Sequence, residues 1–220
     1  MGAFQGGLTY RQYYVIDPLP QSWKDTFQQG LSQLAFKPID LNSEEERAVG
    51  WASALFPLDI ELSSEMYLFN EYMVLAMRVD TLTVPGPLVK IQTEAEIRRV
   101  RLEDNRELNR YAKAEVKERV KKALRHKTLA SIKTFDMVWN HISEKQPSMV
   151  RFFSANEKLN LEFQELFEDT FGLRLVPDCG FTAALHADLG LTEEQLERLN
   201  EVHPSFFADA DDAVAAMKGE

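Results

Sequence analysis

Residues 72–90 read Tyr72-Met-Val-Leu-Ala-Met-Arg-Val-Asp80-Thr-Leu-Thr-Val84-Pro-Gly-Pro-Leu-Val-Lys90. The stretch from Tyr72 to Asp80 is a strand, and its apolar middle requires burial on both faces. Val84-Pro85-Gly86-Pro87 is a hard stop, because proline donates no backbone hydrogen bond and glycine frees the turn. Pro87 then suits the first position of a helix, where its missing N–H would lack a partner anyway. A doubly covered strand followed at once by a helix points to helices packed on a sheet.

The same pattern extends in both directions. Leu8 to Ile16 is rich in tyrosine and β-branched residues and reads as a strand that Pro18 and Pro20 end. Trp23, Phe27, Leu31 and Leu34 recur at helical spacing, which predicts a helix over 21–34. Phe36 to Ile39 and Val49 to Ala52 read as short strands around an acidic turn at Asn42–Glu46, and residues 53–70 as loop. Beyond the stop, a helical pattern runs to about Lys127. Asp104-Asn105 interrupts it, since both residues favour caps over helix interiors. The result is two helices, 88–103 and 106–126, the second about 30 Å long. Ile132 to His141 alternates, with Phe135, Met137 and Trp139 on one face; Pro147 sits in a turn, and Ser148 to Phe153 returns. Ser154-Ala-Asn-Glu157 has the form of a capping box opening a helix with Leu159, Phe163, Leu166 and Phe167 inward, which Gly172 closes. Leu173 to Val176 is a last strand. Thr192-Glu-Glu-Gln195 starts a small helix with Leu196, Leu199 and Val202 inward. Hairpins mixed with helices make this an α+β chain with helices on an antiparallel or mixed sheet.

Charge is segregated along the chain. Thirteen of 25 lysines and arginines lie within residues 98–133, against five acids, for a local net charge of +8. Residues 1–97 carry −7 and residues 134–220 carry −11, so the whole chain stands at −10. An acidic protein with one basic element presents a directed field, which draws polyanions to that element and repels them elsewhere.

Other features narrow the class. The longest apolar run, Met73 to Met77, is far too short to cross a bilayer. The start lacks a basic region followed by an apolar core, which argues against a signal peptide, and Gly6 argues against myristoylation. Cys179 is alone, so no internal disulfide forms and a reducing, cytoplasmic setting is expected.

The second basic helix carries most of the functional information. Leu108, Ala112, Val116, Val120 and Leu124 repeat every four residues as an apolar stripe. Lys113, Lys117, Lys121 and Arg125 repeat with the same step on another face. Like charges at this spacing cost a helix roughly 0.2–0.5 kcal/mol per pair. Glu115 with Arg119 and Glu118 with Lys122 are expected to offset part of that. The row reads either as a solvated face or as a series of phosphate contacts, and the charge segregation favours the second. With Arg106, Arg110 and Lys122 it forms the candidate DNA-binding set. Tyr111 is the only aromatic residue among these cations, which suits backbone contact more than base stacking. Leu108, Val116, Val120 and Leu124 exceed what two isolated helices can bury between themselves. They are expected to form a homodimer interface; the alternative is that the stripe packs on the chain's own sheet.

In order and approximate spacing the chain resembles the recombination-associated RdgC family. The residues that carry the resemblance are Leu34-Ala-Phe-Lys-Pro38, Val49-Gly-Trp51, Met73-Val-Leu-Ala-Met-Arg78, Val84-Pro-Gly-Pro-Leu-Val-Lys90, Val116-Lys-Glu-Arg-Val120, Asp136-Met-Val-Trp-Asn140 and Phe171-Gly-Leu-Arg-Leu175. The resemblance implies a bacterial, nucleoid-associated protein that binds double-stranded DNA without sequence preference. It implies a homodimer closing as a ring and a restraining link to a RecA-type recombinase. The helices over 87–127 would be a projecting basic helical finger between core parts 1–86 and 128–180. A small C-terminal helical region with an acidic tail, 181–220, would follow. Fuller members carry a larger C-terminal dimerisation region, so an open clamp, a differently closed dimer and a complex with another protein stay open.

Catalysis finds less support. Some family members carry an exonuclease label, and metal-dependent nucleases need converging carboxylates. Asp17, Asp59, Asp80 and Asp136 are the candidates, but each suits a strand end or turn. His126, His141, His186 and His203 are scattered without ligand spacing, and Cys179 has no local base. Trp51 and Trp139 read as core. The expected protein is therefore not an enzyme and needs no cofactor or metal. The alternatives are a module that docks an acidic partner through its basic helices, and a DNA nuclease.

Overall fold

The computed structural model describes residues 2–4, 9–104, 107–141, 148–186 and 191–201. The chain divides into two compact units, 1–177 and 178–220.

The first unit contains β1 (Arg11–Val15), α1 (Trp23–Gln33), β2 (Arg47–Ala52), α2 (Ser64–Tyr67), β3 (Leu68–Phe69), β4 (Tyr72–Thr81), α3 (Gly86–Asp104), α4 (Arg110–Arg125), β5 (Ser131–Asn140), β6 (Met149–Phe152), α5 (Glu157–Phe171) and β7 (Leu175–Pro177). The second contains α6 (Gly180–His186) and α7 (Glu193–Asn200). Every strand pairing is antiparallel, in the order β2-β4-β5-β6-β1-β7, with β3 against β4. The fold is α+β. No described helix is long and apolar enough to cross a membrane.

β4 and β5 form the spine, in register from Tyr72 opposite Asn140 to Thr81 opposite Ser131. On one face Met73, Leu75, Met77, Met137 and Trp139 are fully buried in a core that also takes Phe27 and Leu31 of α1 and Phe163 and Phe167 of α5. Aromatic rings dominate this layer. Phe152 stacks on Phe163 at 4.1 Å and 7°, and Phe27 meets Phe171 edge-on at 4.9 Å. Its polar tips are paired, as buried polar groups must be: Trp51 Nε1 donates to Thr170 Oγ1 at 2.7 Å, and Tyr13 Oη to Asn160 Oδ1 at 2.6 Å.

The opposite face of β4 is also buried, through Val74, Ala76, Arg78 and Asp80. Arg78 donates to both Asp80 carboxylate oxygens at 2.8 and 2.7 Å and to the Pro57 carbonyl at 3.2 Å, and it lies 4.0 Å over the Phe36 ring. The expected double burial holds, with a desolvated ion pair on the second side.

Several local expectations need correction. Phe36–Ile39 is not a strand; Ala35 makes one parallel bridge to Trp51. The chain passes so close that a Cβ on Gly50 would lie 2.6 Å from Phe36 Cα. Within 53–70 the chain forms α2 and β3, anchored by buried Leu62 and Tyr67. α5 is capped by Asn156, whose side chain accepts from Leu159 N at 3.1 Å, while the Ser154 hydroxyl accepts from Asn156 N. Asparagine reaches the third helical N–H as well as serine does, so the cap falls two residues later than the box pattern suggests. α4 begins at Arg110, not 106, because Asn109 caps it and accepts from Ala112 N at 2.8 Å. α6 had no sequence signal.

Other expectations match. Gly172 ends α5 at φ 66°, the left-handed conformation glycine adopts without steric cost. The Thr192–Gln195 capping box is formed, and Leu199 is half-buried. Pro147, the side chain of Leu196, Val202 and the acidic tail lie outside the described residues.

Candidate nucleic-acid interface

α3 and α4 pack mainly on each other as an antiparallel hairpin. α3 turns Val89 inward, with Thr93, Glu96, Ile97 and Val100 half-buried beside it. α4 turns Val116 inward, at 7% exposure, with Leu108, Ala112, Val120 and Leu124 half-buried. Glu96 joins the helices by accepting from Arg99 at 2.8 Å and from Arg119 of α4 at 3.0 Å. These two guanidiniums, Arg99 first, hold the Glu96 carboxyl below its ordinary range despite some desolvation. Arg119 therefore turns to the neighbouring helix and not to Glu115.

This packing covers, within the subunit, part of the stripe expected to form a dimer interface. Val116 is covered within the subunit, and Leu108, Val120 and Leu124 are partly covered, because α3 lies along the stripe. The stripe is a helix–helix seam inside one chain.

The cation row also separates. A step of four residues turns a helix through about 400°, so successive members drift by about 40° and the fourth lies about 120° from the first. Lys113 and Lys117 are exposed and make no ion pair among the described residues. Lys121 is half-exposed and pairs loosely with Glu46 at 3.8 Å. Arg125 is only 8% exposed, and its guanidinium donates to the carbonyls of Glu45 and Asp40. Arg125 is thus an anchor that ties the hairpin's base to the 40–45 loop, and it leaves the candidate binding set. Arg110 is exposed on the same side as Lys113 and Lys117. Arg106 lies outside the described residues. Plotting the residues at 100° intervals would have separated Arg125 from Lys113 without a structure.

Lys122 faces elsewhere. With Lys121 and Arg119 it lines a groove of about 680 Å³ between α4 and residues 41–46, together with Glu115 and Glu118 of α4 and with Glu44 and Glu46. Both signs are present in comparable number, so this groove has no preference for an anion. Arg110, Lys113 and Lys117 form an exposed positive face with no ion pair among the described residues.

Most of the remaining chemical candidates are engaged by other groups of the chain. Asp80 is held by Arg78. Asp136 is buried and accepts from Ala3 N at 2.6 Å; burial raises its pKa, and the Ala3 bond only partly offsets this. Asp17 bonds Arg174 through backbone and guanidinium, which lowers its pKa. Asp59 N donates to the Phe56 carbonyl in a turn. His126 is the exposed C-cap of α4, His141 is buried against Trp23 and Trp139, and His186 ends α6. His203 lies outside the described residues. Cys179 is exposed in the second unit. Trp51 and Trp139 are fully buried core residues. Among the described residues no three of His, Cys, Asp or Glu are grouped to hold a metal ion.

Residues 11–158 match a family described as "Putative exonuclease, RdgC". The chain belongs to the RdgC family. The match begins with β1, takes in the whole α3–α4 hairpin, and stops inside the first turn of α5. Most of α5, β7 and the second unit lie beyond it. No curated protein matches the chain.

Proposed function

We propose that this protein binds double-stranded DNA without sequence preference through the outer face of α4, and that it acts in recombination or replication as a homodimeric ring or clamp. The observation that carries the proposal is the exposed Arg110, Lys113 and Lys117 face, unpaired on a chain whose net charge is −10. Point charges on long flexible side chains suit phosphates, which every sequence offers alike. Membership in a recombination-associated family supports the same reading, and it extends the proposal to a place in the bacterial nucleoid and to contact with a RecA-type recombinase. The protein is proposed to be a binder and not an enzyme.

The test is a titration of unrelated duplexes at several salt concentrations. Lys113→Ala and Lys117→Ala should each flatten the salt slope by about one unit and weaken all sequences similarly. A Lys113→Glu, Lys117→Glu, Lys121→Glu triple variant that kept full duplex affinity would refute the proposal.

A further inference from the structure

Residues 53–59 form a turn that holds apolar side chains in water. Leu55, Phe56 and Leu58 are 47, 63 and 71% exposed. The backbone beneath them is braced. Ser53 N donates to the Asp59 carbonyl at 3.1 Å, Asp59 N to the Phe56 carbonyl at 2.8 Å, and Phe56 N to Ser53 Oγ at 3.2 Å. From β4, the buried Arg78 guanidinium, itself fixed by Asp80, donates to the Pro57 carbonyl at 3.2 Å. The Pro57 ring restricts the chain further by fixing φ. Single exposed apolar side chains are ordinary on a protein surface. Three within four residues, on a turn pinned to the sheet by a buried ion pair, form a rigid apolar knob.

The charges around the knob define what can cover it. From Ala48 to Met77 the sequence has no lysine, arginine or histidine and four acids, Asp59, Glu61, Glu65 and Glu71. All four acids are exposed, and none forms an ion pair among the described residues. Such a surface repels a polyanion, so it is not an extension of the α4 face. It is also poorly suited to a second copy, because two-fold pairing about this turn sets like acids against each other.

We infer that the 53–59 turn docks into a different protein, one that offers an apolar pocket rimmed by lysines or arginines. Phe56 is the anchor, since an aromatic ring brings a large apolar area at low cost in side-chain entropy. Leu55 and Leu58 flank it and keep water out, while Asp59 and Glu61 meet the cationic rim. The turn is ordered before binding, so little of the binding energy goes into ordering it. A contact built on seven residues is small beside interfaces of standard size, and the complex is expected to be transient.

The experiment places p-benzoylphenylalanine at Leu55 of the full chain, in cells that naturally make the protein. On irradiation it should cross-link to one other protein, identified by mass spectrometry and then purified for titration. Phe56→Ser should weaken that complex by about thirtyfold, the loss typical of an interface hot spot, with the circular dichroism spectrum and duplex binding unchanged. Asp59→Lys with Glu61→Lys should slow association and flatten its dependence on salt. The absence of a cross-link, cross-linking to many proteins alike, or cross-linking only to the same chain would overturn the inference. So would a complex whose affinity is indifferent to Phe56→Ser, or one whose association rate is unchanged or raised by the two lysines.

Discussion

Glu96 on α3 and Arg119 on α4 lie 3.0 Å apart and set the register of the hairpin that carries the cation face. The Glu96 carboxylate also holds Arg99, so one acid pairs with two of the basic stretch's guanidiniums and offsets one of their two charges. Arg110, Lys113 and Lys117, exposed on one face of α4, make no ion pair among the described residues.

Arg125 is expected to matter for stability more than for DNA. Arg125→Ala leaves the Asp40 and Glu45 carbonyls without a charged donor, a loss of about 1.5–3 kcal/mol. The urea midpoint should fall accordingly, with the salt slope of duplex binding unchanged. A slope that drops by one unit in a variant of undiminished stability would return Arg125 to the binding face.

Gly30→Ala should destabilise the protein although alanine is the better helix former by about 1 kcal/mol. A Cβ there would lie 2.0 Å from the Thr170 carbonyl oxygen, where α1 presses on α5. Forcing the helices apart disturbs the aromatic core beneath them, and overpacking of this kind costs about 1–3 kcal/mol. Thermal unfolding decides the net sign, which is expected to be negative.

His141 should make the protein acid-sensitive. Its burial against Trp23 and Trp139 lowers its pKa below the ordinary 6.5, and nearby Lys24 acts in the same direction. The unfolded chain then takes up a proton before the folded chain does. Stability is full above about 6.5 and is lost as pH falls toward the folded value. Chemical denaturation of wild type and His141→Phe at pH 7.5 and 5.5 checks this, the variant being expected to lose less on acidification.

No nuclease activity is expected. Asp80 is engaged by Arg78, and Asp136 is buried against Ala3, so neither is placed to share a metal ion with a second carboxylate. Purified protein should leave labelled duplex and single strands intact with magnesium or manganese. Cleavage that copurifies with the chain and disappears in Asp136→Asn would show the opposite.

Much of the fold was legible because its signals are local. The Tyr72–Asp80 strand, the Pro85-Gly86-Pro87 stop and the stripe of Phe163 and Phe167 depend on periodicity and backbone chemistry within a few residues, and each falls where those rules place it. The cap of α5 slipped by two residues because Ser154 and Asn156 compete for one role. The charge of the basic helices was equally plain, since charge is additive along a chain. What the charge could do was not. Whether a cation is free depends on what lies across from it: Arg119 meets Glu96 from a neighbouring helix, and Arg125 meets carbonyls some eighty residues away. The same holds for the apolar residues. Periodicity marks Val116 as needing cover, but only the packing of α3 on α4 shows that the cover comes from the same chain, leaving Leu88, Ile91 and Leu102 as the apolar face turned outward. Local sequence sets which surfaces are apolar or charged; tertiary packing decides which of them remain unpartnered, because burial and ion pairing join residues that the chain itself keeps far apart.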